Sequence, residues 1–268
     1  MVYHLSATKL QEYHRCPRAY YFKYERGLKT PTFFRAPLLG RALHAALAKI
    51  YWDWHYGEPK PPIDWIRTCW ERCHSELSPE LRDYGLEILE NYYYEFIATL
   101  TKLRRPVAVE GRISSQLPFC QVNFRISGRY DRLDWLDDEG LELIDYKSNQ
   151  TVKPFDPDEI DLQLGLYYLA LEQRYRKSLK RLTLLYILVG EEVTFEATSQ
   201  HRENAIATIG ELATQLRTDL EWEPCPGDHC RHCSYARYCS AVTDNPEPLP
   251  ENTTDRPPLQ LALDLNPN

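Results

Sequence analysis

Asp145 and Lys147 stand two positions apart in Leu143-Ile144-Asp145-Tyr146-Lys147-Ser148, behind a pair of apolar residues. On a strand, residues i and i+2 share a face, so this acid and this amine point the same way and Tyr146 points opposite. A carboxylate beside an ammonium group at a strand end can hold a metal and stabilise a developing oxyanion. Such a pair occurs by chance in most proteins, and its weight here comes from Asp131, fourteen residues earlier. Between them Asp137-Asp138-Glu139-Gly140 has the composition of a turn. A hairpin centred on Asp138 sets Asp131 opposite Asp145 on neighbouring strands. Like charges across a ladder are destabilising unless a cation sits between them. The same face continues as Leu133, Trp135, Leu141 and Leu143, a buried face with an acidic patch at one end.

A second group of residues has the chemistry of soft-metal ligation. Cys225, Cys230, Cys233 and Cys239 crowd one short segment, with a C-x2-C-x5-C core. Close thiolates repel one another, and a metal removes that cost. Two ligand sets are open. The four clustered cysteines form a local zinc site, or Cys16 joins Cys230, Cys233 and Cys239 around an iron–sulfur cluster and leaves Cys225 free. The second choice closes a loop of more than two hundred residues, a stabilisation of about 5 kcal/mol on the chain-entropy model. Cys69, Cys73 and Cys120 are scattered and read as ordinary helix or core residues.

The elements that must carry these groups are legible in outline. Ser6 caps a helix running to about Cys16, and Pro17 opens a second, Arg18 to Tyr24. Residues 30–37 read as a loop, and a helix follows from about Leu38 to Trp54. On it, Gly40 and His44 lie one turn apart, the glycine leaving room for close approach beside the histidine. Helical spacing over about 63–76 and 79–104 predicts packing elements. Strands follow at Val107–Leu117, where Glu110 points into the same sheet, at Phe119–Leu136 and at Leu141–Lys147. A helix over about Asp158–Tyr175 puts Gln163 and Tyr167 on one face. A hairpin near Leu182–Val189 and Glu192–Glu196, and a helix over about 201–219, lead to the cysteines. This order implies an α/β fold.

Composition bounds the partners. The chain has 268 residues, 43% of them hydrophobic and 12% aromatic, enough for a substantial core. No run reaches the length of a membrane span, and Met1-Val2-Tyr3-His4 lacks a signal peptide's pattern, which predicts a cytoplasmic protein without membrane contact. The net charge of −7 argues mildly against nucleic acid. Yet Lys9, Arg15, Arg18, Lys23, Arg26, Lys29, Arg35 and Arg41 cluster near the N-terminus and permit a nucleic-acid path there.

Taken together, these residues resemble the PD-(D/E)xK nucleases of the RecB type. That group includes the CRISPR adaptation nucleases and the nuclease domain of bacterial recombination helicases. Leu5 to Pro17 is similar to the family's N-terminal helix and cysteine, and Gly40 to His44 to its G-x-x-x-H motif. Gly128 to Arg132 and Ile144 to Lys147 match its two active-site strands, Gln163 to Tyr167 its following helix, and Cys230, Cys233 and Cys239 its C-terminal ligands. Cys225 is a departure. The resemblance implies a restriction-endonuclease-like α/β core, a mixed central sheet flanked by helices, with helical additions and a C-terminal cysteine-ligated metal segment. It implies one nuclease domain over 1–241; residues 242–268, rich in Pro, Asn and Asp without a periodic pattern, read as a disordered tail.

It further implies that His44, Asp131 and Asp145 hold Mg²⁺ or Mn²⁺, with Lys147 orienting the attacking water or stabilising the transition state. Gln163 and Tyr167 then position substrate, and Cys16, Cys230, Cys233 and Cys239 hold a 4Fe-4S cluster, with structural Zn²⁺ as the alternative. The implied activity is an exonuclease acting on single-stranded or free DNA ends in repair or recombination. Its alternative is a CRISPR adaptation nuclease that processes spacer precursors. With no phosphate loop in this sequence, a helicase or CRISPR adaptation partner is expected. A non-catalytic DNA-binding or adaptor protein is the competing class, but a binding module has no use for an acidic pair that repels phosphate. A zinc-dependent regulator leaves that pair unexplained.

Overall fold

The computed structural model describes residues 2–28, 36–119, 122–136, 140–149, 152 and 162–250. Six strands form one mixed sheet: β1 (Val2–Leu5), β2 (Ala108–Phe119), β3 (Val122–Leu136), β4 (Gly140–Lys147), β5 (Leu179–Tyr186) and β6 (Glu191–Glu196). Their order is β1-β3-β4-β5-β6, with β2 paired along the other edge of β3. The β1–β3 and β4–β5 pairs are parallel, and the rest are antiparallel. β1 pairs with residues 123–126 of β3, and β4 with residues 132–136. Two strands thus share one edge of β3 in succession, leaving a gap between them at Asp131.

Alternation along the central strands buries both faces. Leu133, Leu141, Leu143 and Leu182 pack under α1 (Ala7–Arg15), α6 (Leu162–Tyr175) and α7 (Ser199–Thr218). Ile144, Tyr146 and Leu185 pack under α3 (Ala36–Trp52), α4 (Ile63–Glu71) and α5 (Pro79–Tyr92). The result is a three-layer α/β/α arrangement, in which a half-buried antiparallel ribbon would be unstable and a doubly covered sheet is not. A short helix, α2 (Pro17–Tyr20), and the π-helical turn Tyr21–Glu25 join the first of these clusters through Tyr20, Tyr21 and Tyr24. Phe22 and Ala19 there pack on Cys239 and Tyr235 in a third, smaller cluster.

Several expected elements change in detail. The hairpin register holds, with Leu136 paired to Gly140 and Arg132 to Ile144, and the expected turn at 137–139 lies outside the described residues. Trp135, next to that turn, stays 42% exposed rather than joining the buried face. β1 was not expected. It is four residues long and pairs with a strand about 120 residues away, while its Leu5 is buried in the core. The helix expected over 79–104 ends at Tyr92 and passes into a π-helical turn, Tyr93–Ile97. Tyr92, Tyr93 and Ile97 all face the core there, and the wider turn gathers them into a narrower arc than a regular helix would. The tail expected over 242–268 is described to residue 250, where the Glu247 N–H donates to the Arg237 carbonyl at 2.9 Å and Leu249 packs on the third cluster.

Candidate active site

The sheet forks at the acidic residues. The β3–β4 ladder runs from Leu136↔Gly140 to Arg132↔Ile144, and beyond it each strand keeps only its outer neighbour. β3 continues with β2, as Tyr130↔Gly111, and β4 continues with β5, as Asp145↔Leu184 and Lys147↔Tyr186. The Tyr146 N–H, freed from the ladder, donates instead to Asp131 Oδ2 at 2.7 Å. A side-chain carboxylate thus closes the fork, satisfying a backbone donor that would otherwise be orphaned. Asp131 Oδ1 lies 3.1 Å from His44 Nδ1 on α3. On β4, Lys147 Nζ lies 2.7 Å from Asp145 Oδ2.

Glu110 on β2 completes the group. His44, Glu110 and Asp131 each offer a ligand atom within 4.8 Å of the others. Glu110 has a φ of 49°, the left-handed region that an L-residue occupies at a cost of about 1–2 kcal/mol. Strain of this kind at an acid beside two other ligand residues is typical of a site whose geometry has been fixed for function. Arg129, largely exposed, holds Glu110 Oε2 at 2.5 Å.

The electrostatics are those of negative charge confined out of water. Burial raises the Asp145 pKa; Lys147 opposes this and Asp131 adds to it. Burial and then the Asp131 charge raise Glu110 against Arg129 and His44. For His44, burial alone would lower the pKa, but the hydrogen bond and charge of Asp131, with Glu110 and Asp145, reverse the sign and raise it. Each group therefore asks for positive charge at the fork, which a divalent cation supplies. Carboxylates with one imidazole suit Mg²⁺ or Mn²⁺.

Residues 4–240 match the PD-(D/E)XK nuclease superfamily. The chain belongs to that superfamily. It is 25% identical over 211 residues to an ATP-dependent helicase/deoxyribonuclease subunit of Carboxydothermus hydrogenoformans, covering 62% of this chain and 18% of that protein. The corresponding helicase/deoxyribonuclease protein of Clostridium acetobutylicum is 24% identical over 202 residues, 61% of this chain and 17% of its own length. The chain therefore spans less than a fifth of the length of these relatives. A solved structure, SSO0001, aligns over 90% of this chain and 87% of its own at 16% identity, with a TM-score of 0.44.

Beneath the nuclease-superfamily fork lies a buried polar layer. The Arg132 guanidinium sits 4.1 Å above the Tyr51 ring and donates to the Tyr146 and Tyr92 hydroxyls at 3.0 and 3.2 Å. The Tyr51 and Tyr92 hydroxyls meet at 2.7 Å, and Asp134 Oδ2 lies 3.1 Å from Arg132 Nε. This layer ties α3, α5, β3 and β4 together directly below Asp131 and Asp145. On the other face the Tyr167 hydroxyl donates to the Arg129 carbonyl at 2.5 Å, and its ring lies against Gly128. Tyr167 is buried, so it braces β3 beside Asp131; Gln163 is on the same helix, but its side chain lies outside the described residues. Gly40 stands where a Cβ would come 3.2 Å from Ser148 Oγ, the residue after Lys147, which is the close approach its spacing implied.

Of the N-terminal cations, Arg15 and Lys23 both bind the buried carboxylate of Glu12, and Arg18 donates to the Glu221 carbonyl. Those three serve the fold. Lys29 and Arg35 lie outside the described residues. Arg41, by contrast, is exposed and lines a cleft of about 830 Å³ along α3, together with His44, Glu110, Arg129 and Asp131.

Cys16, between α1 and α2, lies against the C-terminal segment. Cys16, Cys225, Cys230, Cys233 and Cys239 line one small cavity, and Cys16 and Cys239 are buried. Burial raises the Cys233 thiol pKa, and the neighbouring Cys16 and Cys230 add to it. Among the described residues, the cysteines do not converge to the 4.8 Å that brings His44, Glu110 and Asp131 together.

Proposed function

We propose that this chain is a divalent-metal-dependent deoxyribonuclease that hydrolyses phosphodiester bonds at single-stranded or free DNA ends, an exonuclease of repair or recombination. The observation that carries this is the forked sheet, which brings His44 and Asp131 beside the Asp145–Lys147 pair at the edge of an open cleft. His44 and Asp131 hold Mg²⁺ or Mn²⁺ together with Glu110, the acid that lies within 4.8 Å of both, and Asp145, which the structure pairs with Lys147 rather than with that group, supplies a further carboxylate. When bound, the metal polarises the scissile phosphate and lowers the pKa of the attacking water.

The chain's own residues do the rest. Lys147 stands ready to orient the water and to stabilise charge growing on the phosphate, its amine held in place by Asp145. Asp131 fixes the imidazole of His44 and the backbone of β4 with its two oxygens, so both ligand-bearing elements are set by one residue. Tyr167 holds β3 through the Arg129 carbonyl, a positioning role, and Gln163 is assigned to position substrate by its place one turn before Tyr167 in the sequence.

The four thiolates of Cys16, Cys230, Cys233 and Cys239 hold a 4Fe-4S cluster that clamps the two ends of the domain. Their lining of one small cavity supports a shared metal group there, with a structural Zn²⁺ as the alternative. Cys225 stays outside the cluster. The names of the relatives support a helicase partner acting beside this nuclease. The same chemistry in CRISPR adaptation is the second role.

No helix among the described residues is long and apolar enough to cross a membrane. A DNA substrate puts the reaction in the cytoplasm. Incubating the full chain with end-labelled single-stranded DNA in Mg²⁺ or Mn²⁺ tests the reading. Degradation is expected, lost in Asp145→Ala and nearly lost in Lys147→Ala while metal binding survives in the latter. Full activity in Asp145→Ala would sink the assignment.

A further inference from the structure

We infer that Trp52 is a stacking platform for a base of single-stranded DNA, and that it selects single-stranded over duplex substrate at this site. The inference rests on the nuclease reading and deepens it. Trp52 is the last residue of α3 and is 54% exposed, on a helix whose inner face is otherwise fully used by the core. It lines the same cleft as His44, two turns further along the same helix. Eight residues at 1.5 Å each place it about 12 Å from His44, or about four stacked nucleotides at 3.4 Å each.

Between them the helix face carries Ala45 and Ala48, so the floor of the cleft is low and a strand can lie along it. Lys49 and Arg41 flank that floor with positive charge within reach of phosphates. Their partners are distant: Arg41 lies 3.8 Å from Glu76, with both side chains mostly exposed, and Lys49 lies 3.9 Å from Asp53. Such loose surface pairs contribute little to the fold and are free to exchange for phosphate. An indole face offers every base a π-surface only when that base is unpaired, since in a duplex the faces are already stacked. A low alanine floor flanked by Arg41 and Lys49, with Asp53 beside Lys49, and ending in an exposed indole is therefore the arrangement of a single-strand channel.

The test uses the full chain in Ca²⁺ and a short fluorescein-labelled single strand, the same sequence as a blunt duplex, and a strand abasic over its first few nucleotides. Trp52→Ala is expected to weaken single-strand binding about 5- to 150-fold, the range for loss of one stacked base. Trp52→Phe should recover most of it. The abasic strand should bind wild type and Trp52→Ala alike, and the single-strand preference over duplex should collapse in the alanine variant. Equal single-strand binding by wild type and Trp52→Ala overturns the platform, as does an equal loss on the abasic strand. Metal-dependent degradation with unchanged binding in Trp52→Ala overturns this inference alone. A wild type that neither degrades nor binds any of the strands overturns the nuclease reading with it.

Discussion

At the scale of single residues, the site trades stability for charge. The Asp145 pKa is raised by burial, and a carboxylate whose folded pKa lies above its unfolded value stabilises the fold only below the unfolded pKa. That contribution disappears as pH rises through the folded value, so near neutral pH the metal-free protein carries the cost. Asp145→Asn should therefore melt higher than wild type in chelator near neutral pH, by about 2–4 °C for on the order of 1 kcal/mol. The gain should vanish as the buffer approaches about pH 4. Melting curves in chelator across that range check it, and a gain that grows toward acid would contradict the assignment. Glu110 makes a parallel case through its backbone. Glu110→Gly removes a left-handed L-residue and should add about 1 kcal/mol of stability while abolishing metal-dependent degradation. Denaturant unfolding and the DNA assay on the same preparation separate the two effects.

At the scale of elements, the bracing of β3 and β4 is what makes the fork a fixed geometry. Gly128→Ala would place a methyl 2.6 Å from the Tyr167 ring, so the ring must leave its seat. A loss of about 1–3 kcal/mol follows from overpacking, with a larger fall in kcat than in DNA affinity as Asp131 shifts. Tyr167→Phe keeps the ring and removes the hydrogen bond to the Arg129 carbonyl, about 1 kcal/mol. Urea titrations of both variants, with steady-state kinetics, decide between a brace and a residue that touches substrate. On the opposite face Arg132→Leu leaves Asp134 without its buried counter-charge and should cost about 3–5 kcal/mol.

The sequence signals for these elements differ in kind. The β3–β4 register was readable because a two-residue period and a turn composition are local. Gly40 and His44 were readable because helix spacing puts them on one face. Glu110 was legible only as a strand acid. Its recruitment depends on a backbone angle that no spacing reports. The roles of Arg15, Arg18 and Lys23 were likewise hidden, because the carboxylate of Glu12 and the Glu221 carbonyl reach them only in the folded chain.

At the scale of the whole molecule, residue 16 meets residues 230–239 around the small third cluster. Cys16→Ser should lower the melting temperature of the whole domain and remove the visible absorption of the anaerobically purified protein, whereas Cys225→Ser should leave both in place. A colourless, zinc-loaded wild type purified without oxygen would end the cluster reading and leave the nuclease one standing. The outline of the core was legible because both sheet faces are written in alternation. The joining of the two ends was not fixed by spacing alone, since two ligand sets fit the same cysteines.

The tyrosines under the fork carry one more consequence. Tyr51, Tyr92 and Tyr146 are buried around Arg132, and burial drives each phenol far above its ordinary pKa. In an alkaline titration followed by tyrosinate absorbance, this trio stays silent through the range in which ordinary phenols ionise. It then appears in a single late step, when the domain opens. The floor of the active site thus carries its own optical reporter, and a variant whose late step moves to lower pH has lost the floor even if its overall secondary structure looks unchanged.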